Sequence, residues 1–169
     1  MINSHSQVIK LISIVTPTYN EAENVEELYL RIKAAIANIT KYQFEILVID
    51  NNSTDNTGQI LRSIAAEDKS LKIIFNNRNF GHIRSPYWGI LQCYGDAIIY
   101  LASDLQDPPE LIPIFIDAWE HGYKIALAVK PISNESKIAH SLRTLYYVFL
   151  DKISDVQIVK NSTGFGLYD

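Results

Sequence analysis

The residues best suited to chemistry lie together in Ser103-Asp104-Leu105-Gln106-Asp107-Pro108-Pro109-Glu110, directly after an apolar run at 98–102. On an extended strand exit, residues i and i+2 point the same way, so Asp104 and Gln106 present two oxygens to one hard cation. Mg2+ or Mn2+ suits such a pair, because these ions keep some waters and take further ligands from phosphates. Asp107 before Pro108 better suits a helix N-cap with proline in the first turn. Three other clusters carry usable groups. Pro17-Thr18-Tyr19-Asn20-Glu21 offers an aromatic face, an amide and a carboxylate, with Glu21 and Glu23 also favourable to a helix N-terminus. In Asp50-Asn51-Asn52-Ser53-Thr54-Asp55, the Asp50 carboxylate suits the imide N–H of a uracil or the hydroxyls of a ribose. Ser53 and Asp55 read equally as helix caps, and capping is the preferred reading for Ser53. In Asn79-Phe80-Gly81-His82, glycine permits a tight backbone, and His82 and Arg84 put polar groups on one rim.

The elements that must position these groups are legible as an alternation. Runs at 11–15, 44–49, 71–75, 97–102 and 125–129 are short and rich in β-branched residues, as expected of strands buried on both faces. Between them, Val25, Leu28, Tyr29, Ile32, Ile36 and Ile39 recur at helical spacing, as do Ile60, Leu61, Ile64 and Ala65. A third helix is expected from Pro108-Pro109 through Trp119, and a fainter one around Leu142, Leu145, Tyr146, Phe149 and Leu150. Strand–helix alternation predicts a mostly parallel sheet, whose ligands sit at the carboxyl ends of its strands. All four clusters fall there.

Composition narrows the chemistry. A chain of 169 residues, 47% apolar and 20% charged, suits one globular domain. Its formal charge of −4 argues against a nucleic-acid surface. Cys93 is the single cysteine, so no internal disulfide forms, and a reducing, cytoplasmic setting is expected. The first ten residues lack the apolar stretch of a signal peptide. None of the seven glycines forms G-x-G-x-x-G after the first strand, and no phosphate loop of the G-K-[ST] kind exists. A bound diphosphate therefore needs another counter-charge, which a carboxylate-held metal supplies.

The order P-T-Y-N-E, V-I-D-N-N-S-T-D, N-F-G-H and D-L-Q-D-P-P-E resembles the family 2 inverting glycosyltransferases of GT-A fold. Within them it is similar to the polyprenyl-phosphate branch of dolichol-phosphate mannose synthases and bactoprenol glucosyltransferases, over about residues 10–130 and more faintly beyond. The resemblance implies a Rossmann-like, mostly parallel α/β sheet flanked by helices, in one domain over 1–169. That domain is expected to be truncated at its end, with an incomplete acceptor side at 131–169. It implies a nucleoside-diphosphate sugar donor, with UDP expected. Pro17, Tyr19, Glu21, Asp50 and Asp55 would line the nucleoside pocket, and His82 and Asp104 would complete the donor site. Asp104 matches the second acid of the family's D-x-D motif, and Gln106 a further metal-contacting position.

Three positions depart from the family pattern. Ala102 stands at the first D-x-D acid, Ala128-Val129-Lys130 at a G-x-R, and Phe165-Gly166 at an aromatic–arginine pair. A polyprenyl phosphate is already largely ionised at neutral pH, its second pKa lying near ~6, and needs no general base. Lys130 and Arg143 are the cations expected to receive it; Asp104 would serve as base only for a hydroxyl acceptor. The alternatives are transfer to a sugar hydroxyl of a surface polysaccharide, or a donor-binding domain without catalysis. The longer protein is expected at the cytoplasmic membrane face, touching the membrane only through segments outside this chain, with homo-oligomers possible in principle.

Overall fold

The strand runs pair into one six-stranded sheet, seen in a computed structural model that describes residues 9–129, 159 and 162–169. In chain order the elements are β1 (Leu11–Thr18), α1 (Val25–Ile36), β2 (Gln43–Asp50), α2 (Thr57–Glu67), β3 (Leu71–Phe75), α3 (Gly81–Leu91), β4 (Ala97–Tyr100), α4 (Ile112–Glu120), β5 (Ile125–Val129) and β6 (Ser162–Tyr168). The strand order is β3-β2-β1-β4-β6-β5. β1 lies between β2 and β4 and is parallel to both, with Thr18 level with Asp50, so the loops leaving β1 and β2 start side by side.

Alternate residues of β1 serve two different faces. Ile12 and Ile14 meet α1 and α4, whose buried stripes are Val25, Leu28, Ile32 and Ile36, and Ile112, Phe115, Ile116 and Trp119. Fully burying each such side chain contributes about 1.5–3 kcal/mol, which anchors α1 far more than its local propensity does. Val15 instead packs with Leu47 and Ile49 beneath α3. Gly89 lets α3 approach closely there: a Cβ would come within 2.3 Å of the Ile49 Cδ1. No helix among the described residues is long and apolar enough to cross a membrane.

Several expectations need correction. α3 was not foreseen, because 76–82 reads as a loop and the following residues show no polar face. The fourth strand ends at Tyr100 rather than 102. The helix expected from Pro108 starts as a 3-10 turn at Pro109–Leu111 and becomes α4 only at Ile112; Pro108 holds the cap position, with Asp107 one residue outside it. β5 is not buried on both faces: Ile125 and Val129 are exposed, because β5 is a sheet edge. β6 slips between β4 and β5, antiparallel to both. A Cβ on Gly166 would lie 2.3 Å from the Ala126 carbonyl oxygen, so the position matched to an arginine has no room for any side chain. The helix expected near 142–150 lies outside the described residues.

Candidate active site

Loops leaving β1, β2 and β4, together with the start of α3, enclose a cleft of about 380 Å³ at the carboxyl edge of the sheet. The β1 loop turns at Asn20, which takes a left-handed conformation (φ 55°) that asparagine tolerates. The turn is held by the β2 loop. The Asn20 amide donates to the Ser53 Oγ at 2.9 Å, and the Asn20 side-chain oxygen accepts from the Thr54 amide at 2.8 Å. The Glu21 amide donates to the Thr57 Oγ1 at 2.9 Å, and the Ala22 amide to the Asp55 Oδ2 at 3.2 Å. These bonds lace the two loops into one wall.

Ser53 is therefore not a helix cap: the cap position of α2 is Asn56, and Ser53 ties Asp50 to Asn20. Asp55 does act on the first turn of α2, from one residue outside the cap, accepting from the Thr57 amide at 3.0 Å and its hydroxyl at 2.6 Å. Desolvation opposes its charge, but the hydrogen bonds from Thr57 and the Ala22 amide outweigh that and hold the carboxyl below its ordinary range. Asp50 ends β2 and is buried. Its Oδ1 accepts from the Ser53 hydroxyl and, at 3.2 Å, from the Ser53 amide, whereas Oδ2 accepts no hydrogen bond among the described residues.

The opposite wall hangs on Asn51, which is buried. Its side-chain Nδ2 donates to the Asn79 Oδ1 at 2.8 Å, and its Oδ1 accepts from the Asn76 side chain at 3.1 Å and the Phe80 backbone amide at 2.9 Å. This hub fixes the turn at Gly81 (φ 83°), from which α3 starts with His82 in its first turn. Asparagines in a strand-exit loop read as ordinary turn residues, and nothing in the sequence distinguishes Asn51 as a hub.

The β4 side is looser. Leu105 adopts a left-handed conformation (φ 58°), and the Gln106 amide donates to the Asp104 Oδ1 at 3.1 Å. The premise of an extended exit thus fails: the chain bends between Asp104 and Gln106, and only Asp104 lines the cleft. Both side chains are exposed. Tyr100 also lines it; burial chiefly, then the nearby Tyr168, Asp104 and Asp107, pushes its phenol pKa up.

Of the expected residues, Pro17, Tyr19, Glu21, His82 and Asp104 meet on this cleft. Asp50 and Asp55 brace its wall, Gln106 is exposed and does not line the cleft, and Lys130 and Arg143 lie outside the described residues. Sequence reasoning missed Thr18, Asn51, Asn79, Tyr100 and Ser103. The Thr18 Oγ1 is buried without a hydrogen-bond partner among the described residues, which costs about 1–3 kcal/mol unless a ligand supplies one. No lysine or arginine among the described residues lines the cleft, so within them a diphosphate would depend on His82, backbone amides or a cation. For a divalent ion the fit is partial: Asp104 offers one carboxylate and Ala102 none. No group of three or more His, Cys, Asp or Glu able to hold a metal exists among the described residues.

Comparison with known proteins gives a consistent picture. The family described as Glycosyl transferase family 2 matches residues 13–166. An undecaprenyl-phosphate 4-deoxy-4-formamido-L-arabinose transferase of Pseudomonas fluorescens is 41% identical over 123 residues, covering 72% of this chain and 36% of the relative. The structure of S. aureus TarS 1-349 in complex with UDP-GlcNAc superposes with a TM-score of 0.55 at 27% identity, over 74% of this chain and 36% of that one. Glucosyl-3-phosphoglycerate synthase from Mycobacterium tuberculosis, in complex with Mn2+, UDP and phosphoglyceric acid, gives 0.59 at 21% identity, over 95% and 56%, and bears on the fold alone. The sheet and its helices are of the GT-A type. The chain spans about half the length, or less, of the curated relatives it matches.

Proposed function

Because this chain belongs to glycosyl transferase family 2, we propose that it moves a sugar, with inversion, from a UDP-sugar held in the cleft to a polyprenyl phosphate. The observation that carries this reading is the meeting of Pro17, Tyr19, Glu21, His82 and Asp104 around a buried Thr18 hydroxyl that lacks a partner among the described residues. The 41%-identical relative is named for an undecaprenyl-phosphate acceptor, which supports the lipid-borne half of the proposal.

In this reading the base lies against Tyr19 and donates its imide N–H to the Asp50 Oδ2, the oxygen that Ser53 leaves unused. The diphosphate lies toward His82 and the first turn of α3, where the helix dipole favours negative charge. A divalent ion there would be held by Asp104 and the donor's own phosphates, and would supply charge neutralisation at the leaving group. An acceptor phosphate oxygen attacks the anomeric carbon from the face opposite the diphosphate. The new C–O bond forms as the bond to UDP breaks, and UDP leaves with the electron pair. No proton need move, because the acceptor arrives ionised. Lys130 and Arg143 are proposed to hold it.

The experiment is transfer of radiolabel from a UDP-sugar to a short polyprenyl phosphate. Label in the organic phase supports the proposal; label on a glycan hydroxyl overturns the acceptor. Ala102 favours a second reading, a donor-binding domain without transfer, which predicts saturable UDP binding and no turnover even of donor hydrolysis with Mn2+.

A further inference from the structure

One face of α3 is covered by nothing among the described residues. Its inner residues Ser85, Pro86 and Gly89 are buried toward the sheet. Around the outer arc, Ile83 is 71% exposed, Tyr87 64%, Trp88 50% and Leu91 57%, and Tyr94 just beyond the helix is 87% exposed. Single exposed apolar side chains are ordinary, but a continuous aromatic and aliphatic stripe marks a contact surface.

Charge says what it contacts. Residues 69–95 hold Lys69, Lys72, Arg78 and Arg84 and no Asp or Glu, in a chain whose formal charge is −4. Lys72 is paired with Glu45, but Arg78 lies over the Phe80 ring at 4.7 Å, and neither it nor Arg84 meets a carboxylate among the described residues. Beside the stripe, Arg84, Ser85, Trp88, Phe80 and Asn76 line a hollow of about 350 Å³. Tyrosine and tryptophan over aliphatic side chains, edged by unpaired guanidinium groups, match the boundary of an anionic bilayer, where rings lie at headgroup depth and cations meet lipid phosphates. The same helix begins at Gly81 and His82 on the cleft, so a surface along its outer face would meet the cleft mouth.

We propose that the outer face of α3 docks on an anionic lipid surface and holds the cleft at headgroup level. This rests on the lipid-borne acceptor proposed above, and assigns this chain a membrane contact of its own.

The test uses the 169-residue chain with vesicles of phosphatidylcholine, with or without phosphatidylglycerol. Trp88 emission should shift to the blue only with the anionic vesicles, and Trp88→Phe, which leaves the buried Trp119, should abolish the shift. Arg84→Glu should weaken partitioning by roughly five-fold or more, and Leu91→Ser by about ten-fold. UDP affinity, measured by calorimetry, should be unchanged in Trp88→Phe and Leu91→Ser and reports an intact fold. Equal or absent binding to both vesicle types, with UDP binding retained, overturns the docking surface and leaves the donor site standing. A concentration-dependent dimer dissociated by Leu91→Ser also overturns it, since a second copy would then own the face.

Discussion

The two sides of the cleft are built differently. On the β1–β2 side, Asn20, Glu21 and Ala22 are hydrogen-bonded to Ser53, Thr54, Asp55 and Thr57, and Asn51 ties the same loop to the start of α3. On the β4 side, Asp104 and Gln106 share one local bond around a left-handed leucine, and both are exposed. The first region is pre-organised without a ligand, and the second has the Asp104 carboxylate but little to hold it. If the proposed donor binds, its nucleoside half should therefore meet a rigid, metal-independent wall, and the diphosphate half should be completed by what binds there.

The largest expected effect tests the rigid side. Asn51→Ala leaves the Phe80 amide without its partner, takes one of two partners from the Asn76 and Asn79 side chains, and should cost about 3 kcal/mol of stability together with UDP binding. Urea unfolding measures it; a loss below about 1 kcal/mol would mean that the wall does not hang on this residue. Next, Asp50→Ala should lower UDP affinity about ten- to a hundred-fold while the protein stays folded. Unchanged affinity in calorimetry would take Asp50 out of the site.

The loose side should respond more weakly, and only in the presence of metal. Asp104→Asn should weaken UDP binding about ten-fold in Mn2+ and not at all in chelator, while Ala102→Asp should strengthen it in Mn2+. Equal effects with and without metal would erase the distinction between the two sides. The smallest effect concerns acid. The Asp55 carboxyl is depressed in the folded state, so its stabilisation is present above the unfolded value near ~4 and lost as pH falls through the lower folded value. Asp55→Asn should flatten the acid limb of the stability profile, and an unaltered limb would mean that its charge plays no part in the lacing.

What the sequence made legible follows the same division. Strands buried on both faces announce themselves, and β1 and β2 lie where their apolar runs stand; β3 lies on its run too, but as a sheet edge it is only partly buried. The cleft position followed from the carboxyl-end rule, and Tyr19, Glu21, His82 and Asp104 meet there. α3 stayed hidden because Gly81, Pro86 and Gly89 lower its helix propensity, and because its outer face is as apolar as its inner one, leaving no amphipathic period to read. The bend at Leu105 is illegible for a different reason: a left-handed leucine has no local signal, so spacing two residues apart does not give a shared direction there. The β6 insertion depends on a pairing that no local pattern encodes.

We propose a preformed nucleoside pocket joined to a diphosphate site that a cation completes. Calorimetric titration of uridine and of UDP, each with Mn2+ and with chelator, tests it most directly. Uridine should bind with the same affinity in both conditions, and UDP should bind more tightly with Mn2+. Absence of saturable binding by either ligand, or a Mn2+ effect on uridine equal to that on UDP, would contradict the account.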